Sequence, residues 1–124
     1  MTSTRKMSVA FAAARGLFGV GLMVLPSRMG TSWIGPDAER PPVHVVIRGL
    51  GARDVALAAG TILAALNGSP LRPWLVGSFG CDISDVTATL AVGGSLPRRA
   101  RLGTVALGGA SAAAGAALAA SADS

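Results

Sequence analysis

The sequence predicts an all-α fold: an antiparallel bundle of four transmembrane helices, with residues 1–124 forming a single membrane domain. Three observations predict it. Four apolar stretches are separated by short polar turns, and each has roughly the 17–25 residues that cross a bilayer core of about 30 Å. Charged residues make up only 14% of the chain, against about 25% in an ordinary soluble domain. Six ionisable residues, Arg15, Arg48, Arg53, Asp54, Asp82 and Asp85, lie inside three of the stretches. An unpaired charge at a helix centre in hydrocarbon costs about 2.5–3.5 kcal/mol, so these arginines and aspartates are expected to find one another.

The first helix is expected over about 8–25, closed by Pro26. Arg5 and Lys6 ahead of an apolar run resemble the start of a signal peptide, but Arg15 interrupts the run and no A-x-A-like site follows Leu25. A retained membrane helix is therefore expected. Residues 26–42 read as the longest loop, rich in proline, glycine and charge, and Pro41 and Pro42 end it. The second helix is expected over about 43–66, and Asn67, Gly68, Ser69 and Pro70 form a tight turn after it. The third is expected over about 71–92, stopped by Gly93 and Gly94, and a short basic turn containing Pro97 follows. The fourth is expected over about 102–120. The short second and third connections force antiparallel neighbours. Soluble helices of this length would carry a polar stripe of Lys and Glu, and these carry none.

The fourth stretch is built from small residues. Gly108, Ala112, Ala116 and Ala120 recur every four positions, as do Gly115 and Ala119. Such spacing lets helix backbones approach closely. A shorter echo links Arg15-Gly16-Leu17 with Gly19 to Arg48-Gly49-Leu50 with Gly51. Trp33 and Trp74 flank apolar segments and are expected to anchor at the headgroup level.

Depth matches the charges. A helix rises about 1.5 Å per residue. Measured from the first loop, Arg15 and Arg53 both lie about 15 Å into their helices, near the midplane. Asp54 and Asp85 agree in level within about one turn when measured from the other side. Arg48 is shallower and can snorkel toward the first loop. Asp82 and Asp85 are three apart and share a face, which Ser78 and Thr89 extend. Arg53 and Asp54 are adjacent and point about 100° apart, so they are expected to meet different neighbours. The pairings expected are Arg53 with Asp85, and Arg15 with Asp54 or Asp82.

Composition narrows the function classes. The net charge of +5 is almost all arginine, with Lys6 the only lysine. No basic run is interleaved with aromatics, which speaks against nucleic-acid binding. Cys81 is the only cysteine and His44 the only histidine, so no internal disulfide or histidine pair can form. Cys81 reads as a small packing residue and His44 as an interfacial polar group. No phosphate-binding glycine loop and no haem or zinc spacing occurs. No enzyme, metal or cofactor is expected. The partners expected are the lipid bilayer and either another membrane protein or a second copy of the chain. The cell membrane, crossed several times, is the expected location. Loops one and three carry Arg28, Arg40, Arg98, Arg99 and Arg101, against Arg5, Lys6 and Arg72 on the other side. The positive-inside rule places the first group in the cytoplasm.

The stretch Arg48-Gly49-Leu50-Gly51-Ala52-Arg53-Asp54, followed by Asp82-Ile83-Ser84-Asp85, resembles small actinobacterial four-helix membrane proteins, loosely similar to the DoxX-like group. The resemblance implies the same bundle and, by analogy with some DoxX relatives, a quinone-linked or thiol redox subunit. The residues themselves support two other roles. The charge network is expected to be structural, within a subunit of a larger membrane assembly. Alternatively, the intramembrane aspartates serve proton- or ion-coupled transport.

Overall fold

The computed structural model describes residues 1–123. Helix α1 (Ser3–Val24) starts ahead of the apolar run because Thr2 caps it, its hydroxyl accepting the Arg5 N–H at 3.2 Å. Pro26 ends α1 as expected. It then opens a helix that the loop composition hid, α2 (Pro26–Ile34), with proline at the first position where its missing N–H costs nothing. The segment 26–42 is thus largely helical: α2 stops at Gly35, whose φ of 89° suits glycine, and a 3₁₀ turn, Pro36–Glu39, follows.

Helix α3 (Pro41–Leu66) begins at the proline pair rather than after it, since both prolines fit the first turn. Helix α4 (Arg72–Val92) and helix α5 (Arg98–Ser121) complete the chain, with a 3₁₀ turn, Gly93–Ser95, between them. Helix α5 starts a turn earlier than the apolar pattern suggests, directly after Pro97, because Arg98, Arg99 and Arg101 are good helix formers.

The long helices form a ring. Helix α1 packs most closely on α3, and α4 on α5, while the α3–α4 and α1–α5 seams close the square. Neighbours run antiparallel, so the architecture is an all-α four-helix bundle with α2 at one end. From there the Trp33 indole N–H donates to Thr104 Oγ1 of α5 at 2.7 Å. Trp33 thus fastens α2 to the bundle; Trp74 lies against Gly60 and is 39% exposed.

The interior is unusual in being small and polar while the exterior is large and apolar. Buried positions are dominated by alanine (Ala12, Ala58, Ala64, Ala65, Ala112), with Asp54, Thr61, Ser78 and Asp82 among them. Leu17, Val45 and Val46 are 70–75% exposed. Four helical stretches, Ser3–Val24, Pro41–Leu66, Arg72–Ser95 and Arg98–Ser121, are long and apolar enough to cross a bilayer, with mean hydropathies of 1.3–1.7. Two apolar clusters, around Leu71 and Leu75 at one end and Leu22 and Ile47 at the other, leave the middle of the bundle to the charges.

Small residues set the closest approaches. A Cβ on Gly51 would lie 2.5 Å from the Gly19 carbonyl oxygen, so α1 and α3 touch backbone to backbone there. On α5 the buried small positions are Ala100, Ala112, Gly115 and Ala119. Ala116 and Ala120 face outward, so the strict four-residue repeat is not the packing stripe.

Three arginines close helix ends. A C-terminus leaves carbonyls unpaired and carries partial negative charge, which suits a cation. Arg5 donates to Ala64 O at 2.7 Å and Ala65 O at 3.4 Å at the end of α3, and to Ser69 O at 2.7 Å. Arg72 donates to Ala119 O at 3.0 Å and Ala122 O at 2.6 Å at the end of α5. Arg48 Nε donates to Met23 O at 3.3 Å at the end of α1.

Asp123 returns the contact made by Arg72. Its left-handed φ of 61°, which aspartate tolerates better than most residues, belongs to the turn ending α5. Its carboxylate accepts the Leu71 and Arg72 N–H groups at the start of α4, each at 2.9 Å. These two donors, Leu71 first, hold the Asp123 carboxyl below its ordinary value of 3.8. Folding lowers this pKa, so the stabilisation is full above the unfolded value and is lost as pH falls through the folded one. Asp123→Ala is expected to lower the thermal midpoint in detergent at neutral pH, with the gap to wild type closing below about pH 3.8. A gap independent of pH would show that the carboxylate charge contributes nothing.

Candidate functional site: a charged layer at the centre of the bundle

Each of the four long helices contributes a polar side chain to one central layer. Arg15 stands on α1, Arg53 and Asp54 on α3, Asp82 and Asp85 on α4, and Ser111 on α5. Each lies about two turns or more from either end of its helix, beyond the unpaired terminal N–H and carbonyl groups. Their partners are the other side chains of the layer, on neighbouring helices and, for Arg53 and Asp54, on the same one.

Arg15 is the hub. Its Nη1 donates to Asp54 Oδ1 at 3.1 Å, and its Nη2 to Asp82 Oδ2 at 2.6 Å and Ser111 Oγ at 3.1 Å. Asp82 lies on the helix diagonally across the ring, so the guanidinium spans the bundle axis and touches all three other long helices. Ser111 Oγ also donates to Asp82 Oδ2 at 2.7 Å. The Phe11 ring, one turn away on α1, lies 5.5 Å from the Arg15 guanidinium carbon. The Arg15, Asp54 and Asp82 side chains are only 6–7% exposed.

Arg53 closes the α3–α4 seam. It meets Asp85 through two parallel bonds, Nη1 to Oδ1 at 2.9 Å and Nη2 to Oδ2 at 2.7 Å. This is the fork geometry that makes an arginine–carboxylate pair directional. Arg53 Nη2 also reaches Asp54 Oδ1 at 3.3 Å. Asp54 Oδ1 therefore accepts from both arginines, and the charges alternate along one chain: Asp82, Arg15, Asp54, Arg53, Asp85. The Arg53–Asp85 end is about 30% exposed at the seam.

Both expected pairings are present, and Arg15 takes both of its alternatives at once. Arg53 and Asp54 do meet different neighbours, but they also meet each other, because the long guanidinium can fold back across the 100° between them. Arg48 does not join the layer. This corrects the expectation that it belongs to the buried network: it is exposed and bound to the Met23 carbonyl, because its shallower level lets it reach the first-loop end. Ser78 and Thr89 are buried near the aspartates, but their hydroxyls donate to the Trp74 and Asp85 carbonyls of their own helix. Cys81 is half-buried beside Asp82.

Ser111 escapes sequence reasoning. The only signal is one hydroxyl midway along a stretch of alanine and glycine, and an isolated helical serine usually bonds the carbonyl one turn back. Arg5, Arg72 and Asp123 escape it too, since their partners are carbonyls and N–H groups that exist only once the helix ends are brought together.

Among the described residues, no group of three histidine, cysteine or carboxylate side chains is arranged to hold a metal ion. With all its groups ionised, the layer carries three negative charges against two positive ones. It can therefore hold helices in register, and its composition leaves room for one further positive charge. No protein family, curated protein or solved structure matches this chain.

Proposed function

We propose that this protein is a small integral membrane protein whose central Arg/Asp layer fastens four spanning helices in register, and that it serves as a subunit of a larger membrane assembly. The observation that carries this reading is the position of Arg15. One guanidinium bonds two aspartates and a serine on the three other long helices, inside a bundle whose outer surface exposes many leucines and valines. Van der Waals contact between alanine-rich helices specifies register weakly, whereas a charge that must find its partner in a low-dielectric interior specifies it strongly. The arginine excess at the α2 end supports placing that end in the cytoplasm.

One observation favours a second reading. The excess negative charge of the layer, with Asp85 about one-third exposed at the seam, suits a protein that takes up a proton there. Asp85→Asn separates the two. If the layer is structural, this substitution removes half of a forked pair that is partly exposed. It then lowers stability by about 1–2 kcal/mol, less than the 3–5 kcal/mol of a fully buried pair, and lowers accumulation in the membrane. Normal accumulation and stability with abolished proton flux in proteoliposomes would replace fastening with transport. Recovery of the wild-type chain in the soluble fraction without detergent would end both readings.

A further inference from the structure

The charged layer does not use every basic group in the bundle. Where α1 turns into α2, an open depression of about 750 Å³ lies between the end of α1, α2 and the start of α3. Its polar wall carries Arg28 and Thr31 from α2 and His44 and Arg48 from α3, with Ser27 and Glu39 beside them. Ser27 Oγ donates to Glu39 Oε1 at 2.8 Å, and Thr31 Oγ1 donates to Ser27 O at 2.8 Å. Arg48 uses its Nε on Met23 O. The Arg28 guanidinium has no hydrogen-bond or ion-pair partner among the described residues, although Glu39 lines the same depression. His44 Nε2 is buried and also lacks a partner. Two permanent cations against one carboxylate leave the depression positive.

Its other wall is apolar. Val24 and Leu25 line it and are 67% and 45% exposed. Val24 continues a stripe of exposed side chains, Leu17, Val20 and Val24, that runs along the outer face of α1 away from the depression. The spacing of three and four residues puts them on one side of the helix.

We propose that this depression binds the phosphate of an anionic phospholipid headgroup, with the acyl chains lying along α1. The guanidinium fork matches phosphate oxygens, and the two arginines come from different helices, so the anion bridges α2 and α3. The apolar wall and the stripe beyond it fit acyl chains and have no use for a free phosphate ion. Basic pockets between spanning helices at an arginine-rich end bind such headgroups. The inference rests on the membrane placement proposed above.

The test uses the purified full chain in detergent, with bound lipid read by native mass spectrometry. Phosphatidylglycerol is expected to be retained over phosphatidylcholine, and millimolar inorganic phosphate is expected not to displace it. Arg28→Gln is expected to weaken phosphatidylglycerol retention about fivefold. Arg28 is exposed and unpartnered, so this variant keeps its fold. Glu39→Gln is expected to strengthen retention by removing a like charge. Equal retention of the two lipids, an unchanged Arg28→Gln, or full displacement by inorganic phosphate would overturn the proposal. A chain that inserts into membranes but does not discriminate headgroups refutes this site alone; a chain that does not insert refutes the membrane reading.

Discussion

Arg15→Met is expected to cost about 3–5 kcal/mol, the cost of leaving buried charges uncompensated. The substitution keeps most of the side-chain volume and removes the guanidinium. Asp54 keeps only the 3.3 Å contact with Arg53, and Asp82 keeps only the Ser111 hydroxyl. Both carboxylates are nearly sealed from outside, so neither can recover its lost partner from solvent. The measurements are accumulation in the membrane fraction and thermal unfolding in mild detergent. Combining Arg15→Met with Asp54→Asn and Asp82→Asn is expected to restore more than half of the loss, because neutral amides carry no stranded charge. If Arg15→Met alone matched wild type, the layer would have no part in holding the bundle together.

Gly51→Ala is expected to destabilise by about 1–3 kcal/mol, the range for forcing extra atoms into a packed interface. The new methyl would lie 2.5 Å from the Gly19 carbonyl oxygen and 2.9 Å from the Met23 side chain. A backbone oxygen cannot rotate away, so α1 must move off α3, and that movement also stretches the bond from Arg15 to Asp54. The control is Gly49→Ala, two residues earlier on the same helix, where a Cβ meets nothing within 4 Å. Alanine is the better helix former by up to about 1 kcal/mol, so Gly49→Ala is expected to be neutral or stabilising. Thermal midpoints of both variants decide the matter: equal effects would show that the backbone contact does not limit the approach of the helices.

Parts of this design are visible before folding and parts are not. Arg15, Arg53 and the three aspartates are legible because burial depth follows from position along a helix of fixed rise. Arg48 is expected among these charges and is not one of them: its shallower level allows it to reach the first-loop end, but only the structure shows that it bonds the Met23 carbonyl instead of an aspartate. Helix α2 is not legible: over nine residues, Gly30, Ser27 and Thr31 look like loop composition, and the helix is held by packing of Met29 and Ile34 on the Leu22 and Ile47 cluster. The small-residue stripe of α5 is legible as a property of the segment but not as a face. Almost every residue there is small, so no hydrophobic contrast marks which side turns inward.

The amino-acid pattern alone determined the number of long helices, their antiparallel order and the level at which the charges lie. Those properties depend on hydropathy, chain length and axial rise, all of which are local to one segment. The tertiary structure decided which groups meet: Arg15 crossing to Asp82 on the diagonal helix, Ser111 joining them, Arg5 and Arg72 closing the ends of other helices, and Asp123 folding back onto α4. These contacts depend on how each helix is rotated about its own axis and which neighbours surround it. Rotation is set by close approach at Gly19 and Gly51 and by the need of each buried charge for an opposite one, and both conditions involve more than one helix.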